Sequence, residues 1–361
     1  MGHGTVIVLG AGATRGAEWQ GPHENGRPLP ARHAGAPLPA LDRDFFDRLQ
    51  EVSDNETEHA ELIRQVTADA RWIAKGEIYP SLEGAFTFIE ASRSLEADVG
   101  FRINGEMPSA VRERLLRAVA LQLGSALCKP NAGEGNDAFY RCRHHLWLAN
   151  QRTNNINGAG LTANDTIISF NYDCLMDHAL ARGSSAWNPR IGYLLDGPAN
   201  WERWAPGEGH EVPPESLKLL KMHGSLNWLD KEDRASGITL SEHNYRDVRR
   251  PLIIPPEWNK QIGEKPFDRI WKVALEAVSQ AQSIVFIGYS MPLTDLRAQV
   301  MFRAARQSAN GNLEKLVVVN PDEHATRRIV QVIDDGTGGT PVIRLDSWRQ
   351  FVDMNVGAWH R

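Results

Sequence analysis

The sequence predicts an α/β protein: a doubly wound, mainly parallel sheet with a helical insertion after the first strand. Two patterns carry this. Short runs of Ile, Val and Leu recur without the polar alternation of half-exposed strands, as expected of strands covered on both faces. Between the later runs, apolar residues stand three and four apart, which suits helices in right-handed crossovers. At 361 residues the chain exceeds the usual size of one core, and 42% hydrophobic residues can fill a large one. The reading is one domain over residues 1–361 with the insertion at about 42–150.

Taken in order, Thr5 to Leu9 is a β-branched apolar run that reads as a buried strand, followed at once by Gly10-Ala11-Gly12-Ala13-Thr14. Trp19 to Pro39 is crowded with Pro and Gly and predicts a long loop over the strand ends. Leu41 to about Asn150 turns helical. Its apolar sets are Phe45-Phe46-Leu49, Leu62 to Ile73, Leu82 to Leu95 and Val111 to Leu127. Strands resume at Thr166 to Phe170, Leu217 to Met222, Pro251 to Ile254, Ser283 to Ile287, Leu316 to Val319 and Val342 to Leu345. Helices are expected at Ile270 to Ala281, Leu296 to Ala305 and Ala325 to Ile333, and a flexible turn at Asp334 to Gly339. Together these elements make a Rossmann-like sheet.

Chemistry gathers where the strands run out. One ends in Asn171-Tyr172-Asp173 and another in Met222-His223-Gly224-Ser225. An amide, a carboxylate and an imidazole at strand ends can surround one small ligand, because open α/β sheets bind ligands in the crevice beyond those ends. The first turn supplies glycines at which backbone N–H groups can approach a pyrophosphate beside a helix N-terminus. The dinucleotide fingerprint is incomplete: its third glycine falls at Arg15, with Gly16 one residue late, and no ribose-binding acid stands out about 20 residues on. Gly288-Tyr289-Ser290 and Asn320-Pro321-Asp322 add small polar groups at two further strand ends. Each of these residues also has a structural use: Asn171 as a turn former, Asp173 as the cap of a helix from Cys174 to Ala181, His223 as a core histidine.

Composition sets limits. No apolar stretch approaches the roughly 20 residues that span a bilayer, and no basic and apolar leader opens the chain, so a soluble cytoplasmic protein without membrane association is expected. Forty basic and forty-five acidic residues are scattered, giving a net charge of −5, and direct nucleic-acid binding is not expected. Cys128, Cys142 and Cys174 suit reduced thiols and cannot form a four-cysteine zinc site. His144 and His145, adjacent on a helix, point to different sides and make poor joint metal ligands. Trp201, Trp204, Trp228 and Trp258 read as packing or partner-contact residues, since no basic groove accompanies them.

In their order, Gly10-Ala11-Gly12-Ala13, Phe170-Asn171-Tyr172-Asp173, His223-Gly224-Ser225, Gly288-Tyr289-Ser290 and Asn320-Pro321 resemble the sirtuin-like superfamily, most of all its zinc-free branch in bacterial antiviral systems. The resemblance runs from residue 6 to about 322. Protein-deacylating sirtuins carry paired cysteines between the histidine and late glycine-serine motifs, whereas Ser225 to Gly288 contains none. The resemblance therefore implies an NAD glycohydrolase that takes NAD as substrate and uses no metal. On it, Asn171 and His223 are the catalytic pair: Asn171 orients water or ribose and His223 acts as general base. Gly10, Ala11, Gly12 and Ala13 meet the pyrophosphate, Asp173 meets the nicotinamide amide or shapes the pocket, and Gly288, Tyr289, Ser290 and Asn320 meet the adenosine end. It further implies an NAD-depleting effector of anti-phage defence, a homo-oligomer or the companion of a separately encoded helicase-like ATPase or Argonaute protein. A scaffold or sensor that holds NAD or ADP-ribose without cleaving it, and a zinc-free deacylase, are the other readings.

Overall fold

The computed structural model describes residues 4–16, 37–52, 57–75, 78–128, 142–149, 161–183, 186–195, 215–229, 239–240, 251–255, 266–309, 313–334 and 339–354. Most of the expected loop from Trp19 to Pro39 lies outside these, as do Trp201, Trp204, Trp258 and the middle of the turn expected at Asp334 to Gly339. In chain order the elements are β1 (Thr5–Leu9), α1 (Ala11–Arg15), a 3-10 turn (Asp42–Asp44), α2 (Phe45–Gln50), α3 (Thr57–Ala74), α4 (Leu82–Val99), α5 (Pro108–Leu127) and α6 (Arg143–Ala149). There follow β2 (Thr166–Ser169), α7 (Leu175–Gly183), α8 (Pro189–Gly192), β3 (Lys218–Lys221), β4 (Gly224–Leu229), β5 (Thr239–Leu240) and β6 (Pro251–Ile253). The chain closes with α9 (Phe267–Gln280), β7 (Ser283–Ile287), α10 (Leu296–Gln307), β8 (Lys315–Val319), α11 (Glu323–Ile333), β9 (Val342–Leu345) and α12 (Trp348–Asp353). Two compact units result: one of Met1–Pro30, Arg141–Gly224 and Gly263–Arg361, the other of Ala31–Tyr140 and Ser225–Ile262.

The first unit is a six-stranded parallel sheet in the order β3-β2-β1-β7-β8-β9. Numbered by order of use in this sheet, that is 3-2-1-4-5-6, the Rossmann arrangement, and the direction of winding reverses between β1 and β7. The Ile/Val/Leu runs explain it, because β1, β2, β7 and all of β8 but its first residue are buried on both faces. Pairing is in phase at the C-terminal ends: Leu9 faces Ser169 on one side and Ile287 on the other, Ser169 faces Lys221, and Ile287 faces Val319. The residues that follow these strands therefore emerge along one edge. At the opposite edge the buried Asp165 carboxylate accepts the amide of Thr5 at 2.7 Å and fixes where β1 enters the sheet.

The second unit holds α2 to α5 and a three-stranded sheet in the order β5-β4-β6. Ser81 caps α4 by accepting the amide of Gly84 at 3.0 Å, Gly100 ends that helix in the left-handed region, and Pro108 opens α5 where no amide is needed. Phe46, Leu49, Val66, Phe86, Ile89, Val111 and Leu115 are buried in it, the apolar faces expected from their spacing. Two expectations need correction. Pro251–Ile253 is a strand of this smaller sheet, not of the parallel one, and Gly224–Leu229 is a further strand where the sequence shows only a motif. The alternation of Leu226 and Trp228, buried, with Asn227 and Leu229, half-buried, is the period-2 signal that marks it.

Candidate active site

At the reversal point the turn after β1 and the end of β7 interlock through backbone. Gly10 donates its amide to the Ile287 carbonyl at 3.1 Å and Gly12 donates to the Gly288 carbonyl at 2.9 Å. A Cβ on Gly10 would stand 2.4 Å from Tyr289 Cα, one on Gly12 2.8 Å from the Gly288 carbonyl oxygen, and one on Gly288 2.0 Å from the Ala13 nitrogen. Gly288 also has φ +61, which side chains resist. With Ala13 donating to the Gly10 carbonyl at 2.8 Å, the amides of Gly10, Gly12 and Ala13 all serve the turn itself. The glycines are thus accounted for by close packing of two strand ends.

Thr14, quoted in the glycine motif but not among the expected site residues, is the centre of the polar cluster. Its hydroxyl donates to Asp173 Oδ2 at 2.7 Å and accepts from Asn171 Nδ2 at 3.1 Å. Asn171 Nδ2 gives its second hydrogen to the Gly10 carbonyl at 3.0 Å. Both hydrogens of the carboxamide are spent, so its orientation is locked, while Oδ1 is buried without a hydrogen-bond partner. A native protein seldom leaves a buried acceptor open, and a ligand-facing group is one reason it does. Asp173 has both oxygens engaged, since Oδ1 accepts the Leu175 amide at 3.0 Å in an Asx turn leading into α7. The expected capping role is thus seen, beside a hydrogen bond to Thr14. The helix begins at Leu175, one residue later than expected.

Below this turn a buried ammonium holds the backbone. Lys221, the last residue of β3, donates Nζ to the Asp173 carbonyl and pairs with Asp177 at 3.3 Å. Burial opposes its charge, but Asp177, Cys174 and Asp173 outweigh burial and raise its pKa above the usual lysine value. Asp177 also accepts a short hydrogen bond from the Tyr193 hydroxyl. Nothing in the periodicity of Leu217 to Met222 marks Lys221 as more than an edge-strand lysine. His144 and His145 were expected to diverge, yet both rings meet Trp348, with centroids at 5.2 and 5.5 Å. Burial and the neighbouring His144 hold His145 neutral, its pKa lowered to about 3.

His223 sits in the tight turn between β3 and β4 and is 6% exposed. Its ring packs edge-on against Phe170 at 5.3 Å and near Trp271 at 6.3 Å, and Nε2 lies 3.9 Å from Asp295 Oδ2. Asn171 directly follows Phe170 in the chain, while its amide is held by Gly10 and Thr14. Tyr289 stacks on Phe170 itself, with ring centroids 4.2 Å apart, and donates its hydroxyl to Asp295 at 2.9 Å. Burial and the Asp295 carboxylate push the Tyr289 phenol well above its usual pKa, keeping it a neutral donor. Asn320 donates to the Tyr289 carbonyl at 3.1 Å and accepts the Asp322 amide at 2.9 Å, so it ties two strand ends together. Ser290 is exposed, and its carbonyl accepts from Arg328 at 3.0 Å. Among the described residues no cluster of three His, Cys, Asp or Glu is placed to hold a metal ion. Nor is any helix of them long and apolar enough to cross a membrane.

Compared with known proteins, the stretch that carries this edge finds its counterpart. Residues 165–333 match the SIR2-like domain. The match runs from just before β2 to the end of α11 and takes in Asn171, Asp173, His223, Gly288 and Asn320, while the turn after β1 precedes it. Over the whole chain, solved structures of low identity are also similar. A structure from work on the mechanism and regulation of Sir2 enzymes shares 12% identity, with 97% of this chain and 89% of that chain covered and a TM-score of 0.39. A Sir2 complex with the inhibitor EX-527, 2'-O-acetyl-ADP-ribose and deacetylated p53 peptide shares 16% identity, with 97% and 90% covered and a TM-score of 0.35. No curated protein matches the chain.

Proposed function

We propose that this protein is an NAD glycohydrolase that cleaves the nicotinamide–ribose bond, built as one sirtuin-like domain with the helical unit as an insertion. The observation that carries the reading is Asn171: a carboxamide locked by Gly10 and Thr14, with a buried and open acceptor oxygen at the reversal point of a SIR2-like sheet. An open acceptor there calls for a ligand that donates, which a ribose hydroxyl or an attacking water does and a phosphate oxygen does not.

The chemistry asks little of the protein beyond placement. As the C1'–N bond breaks, its electron pair leaves with nicotinamide and positive charge develops on the ribose, as in glycoside hydrolysis. Water adds at C1' and gives up a proton, which His223, with a side-chain type that titrates near 6.5, accepts as general base. ADP-ribose, nicotinamide and a proton result. Asp173 holds Thr14 and so the amide face of Asn171. The Gly10 to Ala13 turn, Gly288, Tyr289, Ser290 and Asn320 line the edge along which the rest of NAD would lie. In the cell we assign this activity to NAD depletion during anti-phage defence, with self-assembly or a separately encoded partner as the trigger.

The test is release of nicotinamide from NAD by the purified chain, alone and with its genomic neighbour. Release that is lost in Asn171→Ala and His223→Ala is expected. Binding of NAD by calorimetry with no release under any of these conditions would replace the hydrolase by a scaffold that senses NAD.

A further inference from the structure

The residue that opens α10 is not used as a helix cap. Asp is among the best caps, and Asp295 occupies the cap position of this helix, yet its carboxylate makes no cap hydrogen bond. It is turned inward instead and is 4% exposed. There it accepts the Tyr289 hydroxyl at 2.9 Å and faces His223 Nε2 at 3.9 Å. Diverting a cap into the interior and burying a charge both cost stability, so the carboxylate must return something elsewhere.

We propose that Asp295 is a positioning residue for His223: held by the Tyr289 hydroxyl, its carboxylate fixes the imidazole and stabilises the imidazolium that forms when His223 takes a proton. The geometry follows the logic by which a buried carboxylate orients a catalytic histidine in hydrolases, reached here from the start of a helix. The 3.9 Å gap is longer than a hydrogen bond, in keeping with catalytic contacts that tighten when substrate closes the site. Three other charged groups of the described residues have partners of their own. Arg297 lies over the Trp271 ring at 4.8 Å, Asp173 serves Thr14 and α7, and Lys221 serves Asp177 and the Asp173 carbonyl. Tyr289 is neutral. Asp295, 3.9 Å from Nε2, is a carboxylate in position to set the proton affinity of His223.

The inference rests on His223 as the base, and its test separates the two. In the full chain, the histidine ring protons are followed by NMR through a pH titration, with His223→Ala identifying the His223 signal. Asp295→Asn should move the His223 midpoint down by about one pH unit, whereas Tyr289→Phe, which leaves the carboxylate in place, should not lower it. The rate of nicotinamide release should fall at least tenfold in Asp295→Asn with KM for NAD little changed, and the rising limb of its pH profile should move to lower pH. Asp295→Glu should recover part of the rate, and Asp295→Ser takes the place of Asp295→Asn if that variant does not fold. An unmoved midpoint in a folded variant overturns the role given to Asp295. Absence of release by the wild type, with the midpoint moved, overturns the hydrolase reading and leaves the pairing of the two side chains standing.

Discussion

At the scale of single residues, Thr14 is the link on which the site depends. Thr14→Val keeps the shape but leaves an Asn171 hydrogen and an Asp173 oxygen unpaired in a buried place, which should cost about 1–3 kcal/mol. Nicotinamide release should drop at least tenfold, and Thr14→Ser should restore it; equal loss in both would mean that bulk, not the hydroxyl, is what matters. Lys221→Met should cost about 3–5 kcal/mol in urea unfolding, because Asp177 is left as an uncompensated buried charge. The lysine's folded pKa is raised, so its stabilisation is complete below the ordinary value of 10.5 and fades as pH climbs through the folded one. His145 works in the opposite direction. Its folded pKa of about 3 lies under the ordinary histidine value of 6.5, so the unfolded chain binds the extra proton between these limits and stability falls as pH drops from 6.5 towards 3. Replacing it by Gln should flatten that acid limb in a series of thermal melts. Asn171 and His223 were legible as residues because they end apolar runs. Thr14, Lys221 and Asp295 were not, since a hydroxyl in a glycine turn, a lysine in a strand and an aspartate before a helix each have an ordinary local reading that only long-range contacts displace.

At the scale of elements, the sheet was readable for a physical reason. Strands buried on both faces must be apolar throughout, and that leaves the unbroken runs seen in β1, β7 and β8. Helix faces were readable by the same token. Which sheet a strand joins is not encoded locally, and Pro251–Ile253 looks like the others while belonging to the smaller sheet. The close approach of the β1 turn to the β7 end was legible only as glycines, whose packing partner lay more than half the chain away. Gly288→Ala tests that approach: with φ +61 and a methyl 2.0 Å from the Ala13 nitrogen, it should destabilise by about 2 kcal/mol or more, against which Gly339→Ala, with open space around it, should be nearly silent.

At the scale of the whole molecule, substrate binding should appear as stability. On the proposed function, His223→Ala should bind NAD without consuming it; a hundredfold excess over Kd should then add about 2.7 kcal/mol and raise the melting temperature, and the rise should vanish when Asn171 is also replaced. If assembly is the trigger, light scattering and nicotinamide release should climb together with protein concentration; release from a monomer that never assembles would assign control to the partner. The charge balance of −5, scattered along the chain, gives no electrostatic clue to either route. The interlocked glycines bear on a practical matter as well. A protein engineer who grafted a foreign first loop onto this sheet would find that the loop arrives without its mate. Because Gly10 and Gly12 are fitted to Gly288 from a strand that follows them by more than half the chain, loop and strand are one exchangeable part, and only a transplant that carries both will seat.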